Sequence, residues 1–155
     1  MRLLEWRNSP GVRNWMTDTS EIPVESHKKW FEARGRNGTS VFILEWQGVP
    51  VGVFTFRINP DEASDRLLTM YIIDKYQNSG LGLVLEWFLL ETVFQDPACE
   101  TVSGLAFPDN PVLKLHKFFA FDIDDDGSKY VSIRMTKRHY QEISPDLRGR
   151  IFSGG

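Results

Sequence analysis

Gln77, Gly80 and Gly82 stand between two apolar runs, Met70-Tyr71-Ile72-Ile73 and Leu83-Val84-Leu85-Glu86-Trp87-Phe88-Leu89-Leu90. The first run reads as a strand and the second as a buried helix, joined by a short polar bend with two glycines one residue apart. Such a junction is a place to hold a phosphate. Gly80 and Gly82 have no Cβ, so a ligand can approach the backbone. The first N–H groups of the following helix lack intrahelical partners and face outward with the positive end of the dipole. Taken alone, two glycines are as easily an ordinary turn; the strand before and the helix after favour the anion site.

Two of the three histidines fall on helical faces. Val24, His27, Trp30 and Phe31 recur at three- and four-residue spacing, as do Leu113, His116, Lys117 and Ala120. Each histidine is open to two readings, proton transfer or packing against its apolar neighbours. Imidazole is the side chain whose ordinary titration, near pH 6.5, lies closest to neutrality.

The elements that must position these groups follow in order. Leu3, Leu4 and Trp6 begin a short helix interrupted at Ser9-Pro10-Gly11, and a second short helix ends near Trp15-Met16. Pro23 opens the His27 helix, with Gly35 as its expected C-cap. Ser40 to Trp46 and Val51 to Arg57 read as a hairpin turning at Gln47-Gly48-Val49-Pro50. A charged loop, Asp61 to Arg66, separates them from a strand over Leu67 to Ile73. Thr101 to Phe107 is a further strand, and Pro111 starts a helix that runs through Ala120. Phe121 to Asp124 and Tyr130 to Thr136 form a last hairpin. Lys137 to Gly155 is polar and is expected to end disordered. The order predicts a single domain over residues 1–155 of mixed α/β class, with a mostly antiparallel sheet flanked by helices.

Composition bounds the function. With 155 residues, 41% hydrophobic and 25% charged, the chain is long and apolar enough for one sizeable core. A net charge of −3 argues against general nucleic-acid binding, although a local basic pocket is compatible with it. Cys99 is the lone cysteine, so no intrachain disulfide can form, and the start lacks the pattern of a signal peptide. A cytoplasmic location is expected. Leu81 to Phe94 is too short for a bilayer span and contains Glu86 and Glu91, so no membrane insertion is expected.

The order of elements, with Gln77-x-x-Gly80-x-Gly82 between central strand and helix, resembles the GNAT superfamily of acetyl-coenzyme A-dependent N-acetyltransferases. Their signature is Arg/Gln-x-x-Gly-x-Gly/Ala, and the resemblance covers nearly the whole chain. The front end, Leu4-Glu5-Trp6-Arg7-Asn8, Val12-Arg13-x-Trp15-Met16 and Ile22 to Glu32, is similar to that of the N-acetyltransferases of the pseudaminic-acid pathway. Those act on the 4-amino group of a UDP-linked amino-dideoxy sugar made for flagellin glycosylation. Ribosomal-type peptide N-terminal acetyltransferases share a looser version. A coenzyme A-binding module without catalysis is the third reading.

The resemblance implies a seven-stranded sheet with its central strands splayed and acetyl-CoA in the gap. Relatives usually have a strand before the Trp-Arg-Asn helix, whereas here Met1 leads directly into that helix. Either the start lies upstream or an edge strand is lost, which would invite pairing with another copy. In this frame the N–H groups of Asn78, Ser79, Gly80, Leu81 and Gly82 take the pyrophosphate. Met70, Tyr71 and Ile72 hold the pantetheine arm as an added strand, and Asn110 makes a further cofactor contact. No metal is called for, since amides and dipole supply the positive potential.

His116 stands where relatives carry a tyrosine that protonates the departing thiolate, and Ala120 replaces the usual glycine. Arg7, Asn8, Trp15, Met16 and His27 are the acceptor-site residues that the resemblance implies. Arg7 would grip the acceptor or a phosphate, and Trp15 and Met16 would line its pocket. Leu67 to Ile73 carries no carboxylate to act as base, so proton loss through water, helped by His27, is expected.

Overall fold

The computed structural model describes residues 2–153. Helices α1 (Arg2–Asn8), α2 (Pro10–Arg13) and α3 (Val24–Ala33) precede strands β1 (Ser40–Trp46), β2 (Val49–Asn59) and β3 (Glu62–Ile72). Then follow α4 (Leu81–Val93), β4 (Thr101–Ala106), α5 (Val112–Phe118), β5 (Asp122–Asp124), β6 (Val131–Thr136) and α6 (Lys137–Phe152). The strands form a six-stranded sheet in the order β1-β2-β3-β4-β6-β5. That is the mixed α/β class expected, and the six strands among the described residues are one fewer than the seven that the resemblance implies.

Every pairing is antiparallel except β3 with β4, and that one is brief. It holds for Asp65↔Thr101, Arg66↔Val102 and Leu67↔Ser103, then stops. β3 stays paired with β2 as far as Gly52↔Ile72, and β4 stays paired with β6 as far as Ala106↔Val131. Beyond Leu67 and Ser103 the sheet is therefore split, and each half is held by its outer neighbour.

The closed end of the split explains one misread segment. Asp61 to Arg66 is a two-residue turn at Pro60-Asp61 followed by strand, because its charges are satisfied inside the sheet. Asp65 is buried and accepts from Thr101 Oγ1 at 2.8 Å, Ser103 Oγ at 2.9 Å and Asn59 Nδ2 at 2.9 Å. Arg66, also buried, donates to Ala63 O at 2.8 Å and to Asp96 Oδ2 at 2.7 Å. Composition alone reads four charges as loop; tertiary pairing makes them strand.

α4 is apolar on nearly every side and lies against the face of β2 and β3 that carries Phe54, Leu68, Met70 and Ile72. Leu85, Leu89, Leu90 and Val93 are fully buried, each worth roughly 1.5–3 kcal/mol of apolar transfer. A second correction concerns the C-terminal segment. Lys137 to Phe152 is helix, capped by Thr136 Oγ1 accepting from the His139 N–H at 3.2 Å, and it buries Tyr140 and Leu147 against α4. Two apolar contacts per several polar residues suffice to dock an amphipathic helix; Gly154 and Gly155 lie outside the described residues.

Smaller boundaries also shift. α3 ends at Ala33 with Arg34 as C-cap in right-handed conformation, so Gly35 is not the left-handed cap expected. The first hairpin turns on Gln47 and Gly48, both at positive φ, and β2 starts at Val49. No helix among the described residues is long and apolar enough to cross a membrane.

Candidate active site

β3 ends in a 3-10 turn, Asp74–Tyr76, followed by the bend Gln77 to Gly80. Asn78 (φ 59) and Gly80 (φ 82) are left-handed, a conformation that costs a residue with a Cβ roughly 1–2 kcal/mol. The bend leaves the N–H groups of Asn78, Ser79, Gly80 and Gly82 without partners among the described residues, while the Leu83 N–H closes on Gly80 O at 3.2 Å. Leu81 N–H makes only a long 3.4 Å contact to Ser79 Oγ. Four free amides at the N-terminus of a 13-residue helix form a cradle for an anion such as a pyrophosphate. A Cβ on Gly82 would lie 3.3 Å from Leu115 Cδ2, so the glycine also lets α5 close on α4.

Gln77 supports this bend from behind. Its Nε2 donates to Gly11 O at 3.0 Å and Ile72 O at 3.1 Å. Asp74 accepts from Ser9 Oγ at 2.9 Å and from the Gly11 N–H at 3.2 Å. A Cβ at Gly11 would sit 2.7 Å from Asp74 Oδ1, so only glycine permits the approach. The side chain of Gln77 thus ties α2 to the turn, and its contribution to a cofactor site is to shape it.

Two cavities meet at the split. One, of about 380 Å³, is bounded by the glycine bend, the free edge of β3 from Met70 to Ile72, Asn110, Leu115 and His116. The other, of about 920 Å³, lies largely on the opposite face of the sheet beneath α1 and α3. Thr17, Leu68, Thr69, Tyr71, Leu105 and Ile133 line both. A donor held in the smaller cavity can present its reactive end to an acceptor in the larger one through the parted strands. The residues fit coenzyme A: amides for its pyrophosphate and an unpaired strand edge for its amide-bearing arm. Asn110 Oδ1 accepts from the Val112 N–H at 3.0 Å, leaving its Nδ2 for the cavity.

The acceptor residues implied by the sequence divide. Arg7 and His27 line the larger cavity. Arg7 Nη2 donates to Asp18 O at 2.9 Å, and burial draws its guanidinium down from the ordinary value. His27 is buried with its ring 5.5 Å from Trp30 and 6.3 Å from Phe31; burial lowers its pKa and so favours the neutral, proton-accepting form. Asn8 lines neither cavity, because its amide is consumed by the Ile22 backbone, donating to Ile22 O at 3.0 Å and accepting from Ile22 N at 2.9 Å. Trp15 and Met16 line the smaller cavity, not the larger one, since the Gln77 and Asp74 bonds hold α2 over the glycine bend.

His116 is buried, lines the smaller cavity and has Nδ1 2.5 Å from Glu86 Oε1. With Nδ1 engaged, Nε2 is the ring nitrogen left for a ligand. Glu86 is fully buried in α4, and its burial pushes the carboxyl pKa up, partly offset by His116. Sequence reasoning missed Glu86 as a site residue, although a carboxylate set within the apolar run Leu83 to Leu90 was its signal. It also missed the Tyr71 side chain, whose phenol burial holds strongly protonated, and Arg57 and Arg134 on the larger cavity. Alternation along β2 and β6 carries those two arginines to the same face as Thr69 and Tyr71, which only the sheet register reveals.

Solved structures share this architecture. The aminoglycoside acetyltransferase AAC(6')-Ib in complex with coenzyme A and kanamycin superposes with a TM-score of 0.78 at 15% identity, over 92% of each chain. The ribosomal-protein-alanine N-acetyltransferase from Brucella melitensis gives 0.71 at 18% identity, over 87% of this chain and 92% of that one. The Campylobacter jejuni N-acetyltransferase PseH gives 0.61 at 18% identity, over 73% and 78%. At such identities these likenesses speak for the fold, and no curated protein matches the sequence significantly. Residues 1–121 match the profile described as the Acetyltransferase (GNAT) family. That match spans the glycine bend, both walls of the split and His116, and by it the chain belongs to the GNAT family of acetyl-CoA-dependent N-acetyltransferases.

Proposed function

We propose that this enzyme transfers acetyl directly from acetyl-CoA to the primary amine of an anionic small molecule, the 4-amino group of a UDP-linked amino-dideoxy sugar. One observation carries the reading. The larger cavity is lined by three guanidinium groups, Arg7, Arg57 and Arg134, against the single carboxylate of Asp61. Arg134 is partnered by Glu62 at 3.3 Å, whereas Arg57 has no carboxylate partner among the described residues. A polycationic acceptor such as kanamycin would meet like charge there, and a nucleoside diphosphate would meet opposite charge. Trp30 and His27 on the same cavity offer flat faces for a sugar or base.

Direct transfer needs an amine free of its extra proton, a route for that proton and an acid for the thiolate. In this reading His27, which burial favours in its neutral form, takes the amine proton through water, and His116 Nε2 protonates sulfur. The Tyr71 phenol, at the junction of both cavities, is a donor for the carbonyl oxygen. The reaction belongs in the cytoplasm, in keeping with the single free Cys99.

Thiol release from acetyl-CoA, followed with UDP-4-amino sugars, N-terminal peptides and kanamycin, tests the reading. The UDP sugar is expected to be turned over with the highest kcat/KM. Arg57→Ala should raise its KM roughly three- to tenfold with kcat unchanged, as for loss of one partly exposed ionic contact. Turnover with peptides alone would replace the sugar by a ribosomal-type acceptor, and coenzyme A binding without any turnover would make the chain a binding module.

A further inference from the structure

We infer that Glu86 is a positioning residue for acetyl transfer, acting with His116 as one proton-holding pair beneath the thioester end of the donor cavity. The inference rests on the assignment of His116 as the acid and adds to it a residue that no sequence motif marks.

Three observations converge. Glu86 is fully buried on a largely apolar helix, and its only side-chain hydrogen bond among the described residues is to His116 Nδ1, at 2.5 Å. Its second oxygen, Oε2, is buried without any partner. A carboxylate kept so is costly, and where only packing is needed an apolar residue of similar volume serves as well or better. His116 in turn is held at both ends. Its carbonyl accepts the Phe121 N–H at 3.0 Å in the C-terminal turn of α5, and its Nδ1 is held by Glu86, so Nε2 is the ring nitrogen left free on a residue that lines the cavity.

The surrounding charged groups leave the pair to itself. Farther along α4, Glu91 is occupied by the Tyr140 hydroxyl, and on α6 His139 Nε2 donates to Ala120 O at 3.2 Å. Arg150 lies over the Phe118 ring, and Lys114 and Lys117 are exposed. None bonds either member of the pair.

The proton balance is simple. The acceptor nitrogen forms a bond to the acetyl carbon, the carbon–sulfur bond breaks with its electron pair going to sulfur, and sulfur takes the proton on Nε2. The pair is then left with a single proton on Nδ1, shared with the Glu86 carboxylate, and regains the other from solvent. The amine proton leaves separately to water. The Glu86 carboxylate opposes the charge of the protonated ring, which an uncharged partner in its place cannot do.

Glu86→Gln keeps shape and hydrogen bonding but removes the charge. Expected is a fall in kcat of at least tenfold at pH 8, with the alkaline limb of the kcat profile displaced to lower pH by one unit or more. KM for acetyl-CoA should stay within twofold. A second readout does not need turnover: 15N NMR of the His116 ring in the coenzyme A complex should show the pH midpoint of Nε2 protonation displaced the same way in Glu86→Gln. Should Glu86→Gln prove unstable, Glu86→Leu, which removes the buried charge altogether, gives the same comparison. Superposable pH profiles and an unmoved NMR midpoint would overturn the inference. His116→Gln with unchanged kcat would instead overturn the acid assignment on which it rests, so the two failures are distinguishable.

Discussion

Two carboxylates lie inside this protein at opposite ends of the same split, and they are treated differently. Asp65, at the closed end, receives three hydrogen bonds from Asn59, Thr101 and Ser103, which use both of its oxygens. Glu86, toward the open end, has one partner, His116, and an orphaned Oε2. A fully satisfied buried acid behaves as a fastener, whereas a half-satisfied one is a local liability that stability alone gives no reason to keep. Asp65 bonds across from β3 to β4 where they still pair, and so fixes where they begin to part. Glu86 bonds the His116 ring that lines the cavity at the opening.

The comparison can be broken at either end. The largest effect is expected for Asp65→Ala, which strands two hydroxyls and an amide. It should lower stability by about 3–5 kcal/mol, read as a displaced urea midpoint, and a loss under 1 kcal/mol would mean that Asp65 is no fastener. Next comes His116→Phe, which leaves Glu86 without its partner and costs about 3 kcal/mol near pH 7. The sign with pH is set by the raised pKa of Glu86. Without His116 to favour its charge, the buried Glu86 of the variant prefers the protonated form, so the cost is small below the unfolded carboxyl value of about 4.3 and grows as pH rises above it. Thermal unfolding at pH 4.5 and pH 7.5 checks this, and adding Glu86→Leu should remove the pH dependence.

At the open end, Gly82→Val crowds both the amide cradle and Leu115. Coenzyme A affinity should fall about tenfold or more, or at least 1.4 kcal/mol by titration calorimetry; retained affinity would contradict the placement of the cradle. The smallest effect is at Ala120, which ends the His116 helix at φ 58 in a place suited to glycine. Its N–H donates to Lys117 O and the next N–H to His116 O. Ala120→Gly should relieve the strain and raise stability by about 0.5–1 kcal/mol, or roughly 2–4 °C in Tm at most for a chain of this size.

Much of this architecture was legible from pattern. Met70 to Ile73, the Gly80-x-Gly82 bend and the apolar run after it read as strand, turn and buried helix, and the phosphate site proposed there followed from missing Cβ atoms and free amides. His27 beside Trp30 and Phe31 was legible from helical spacing. What failed did so where long-range partners override local composition. Asp61 to Arg66 reads as loop until Thr101, Ser103 and Asp96 are placed around it, and Lys137 to Phe152 reads as tail until Tyr140 and Leu147 find α4. Trp15 and Met16 went to the donor side because hydrogen bonds from Gln77 and Asp74, some sixty residues away, hold α2 there.

By itself, the sequence determined the bend proposed to hold the donor, because such a cradle is local: one strand end, two glycines and one helix start within a dozen residues. The rest of the larger cavity beyond Arg7 and His27, and the contact between Glu86 and His116, were decided by tertiary structure. Arg57 and Arg134 reach one cavity through strand register, and Arg7 joins them from α1, which covers the same cavity. Glu86 and His116 are thirty residues apart and meet only because α4 and α5 close over Gly82. Local conformation is encoded by neighbouring residues, whereas the meeting of charges across a core depends on how the elements pack.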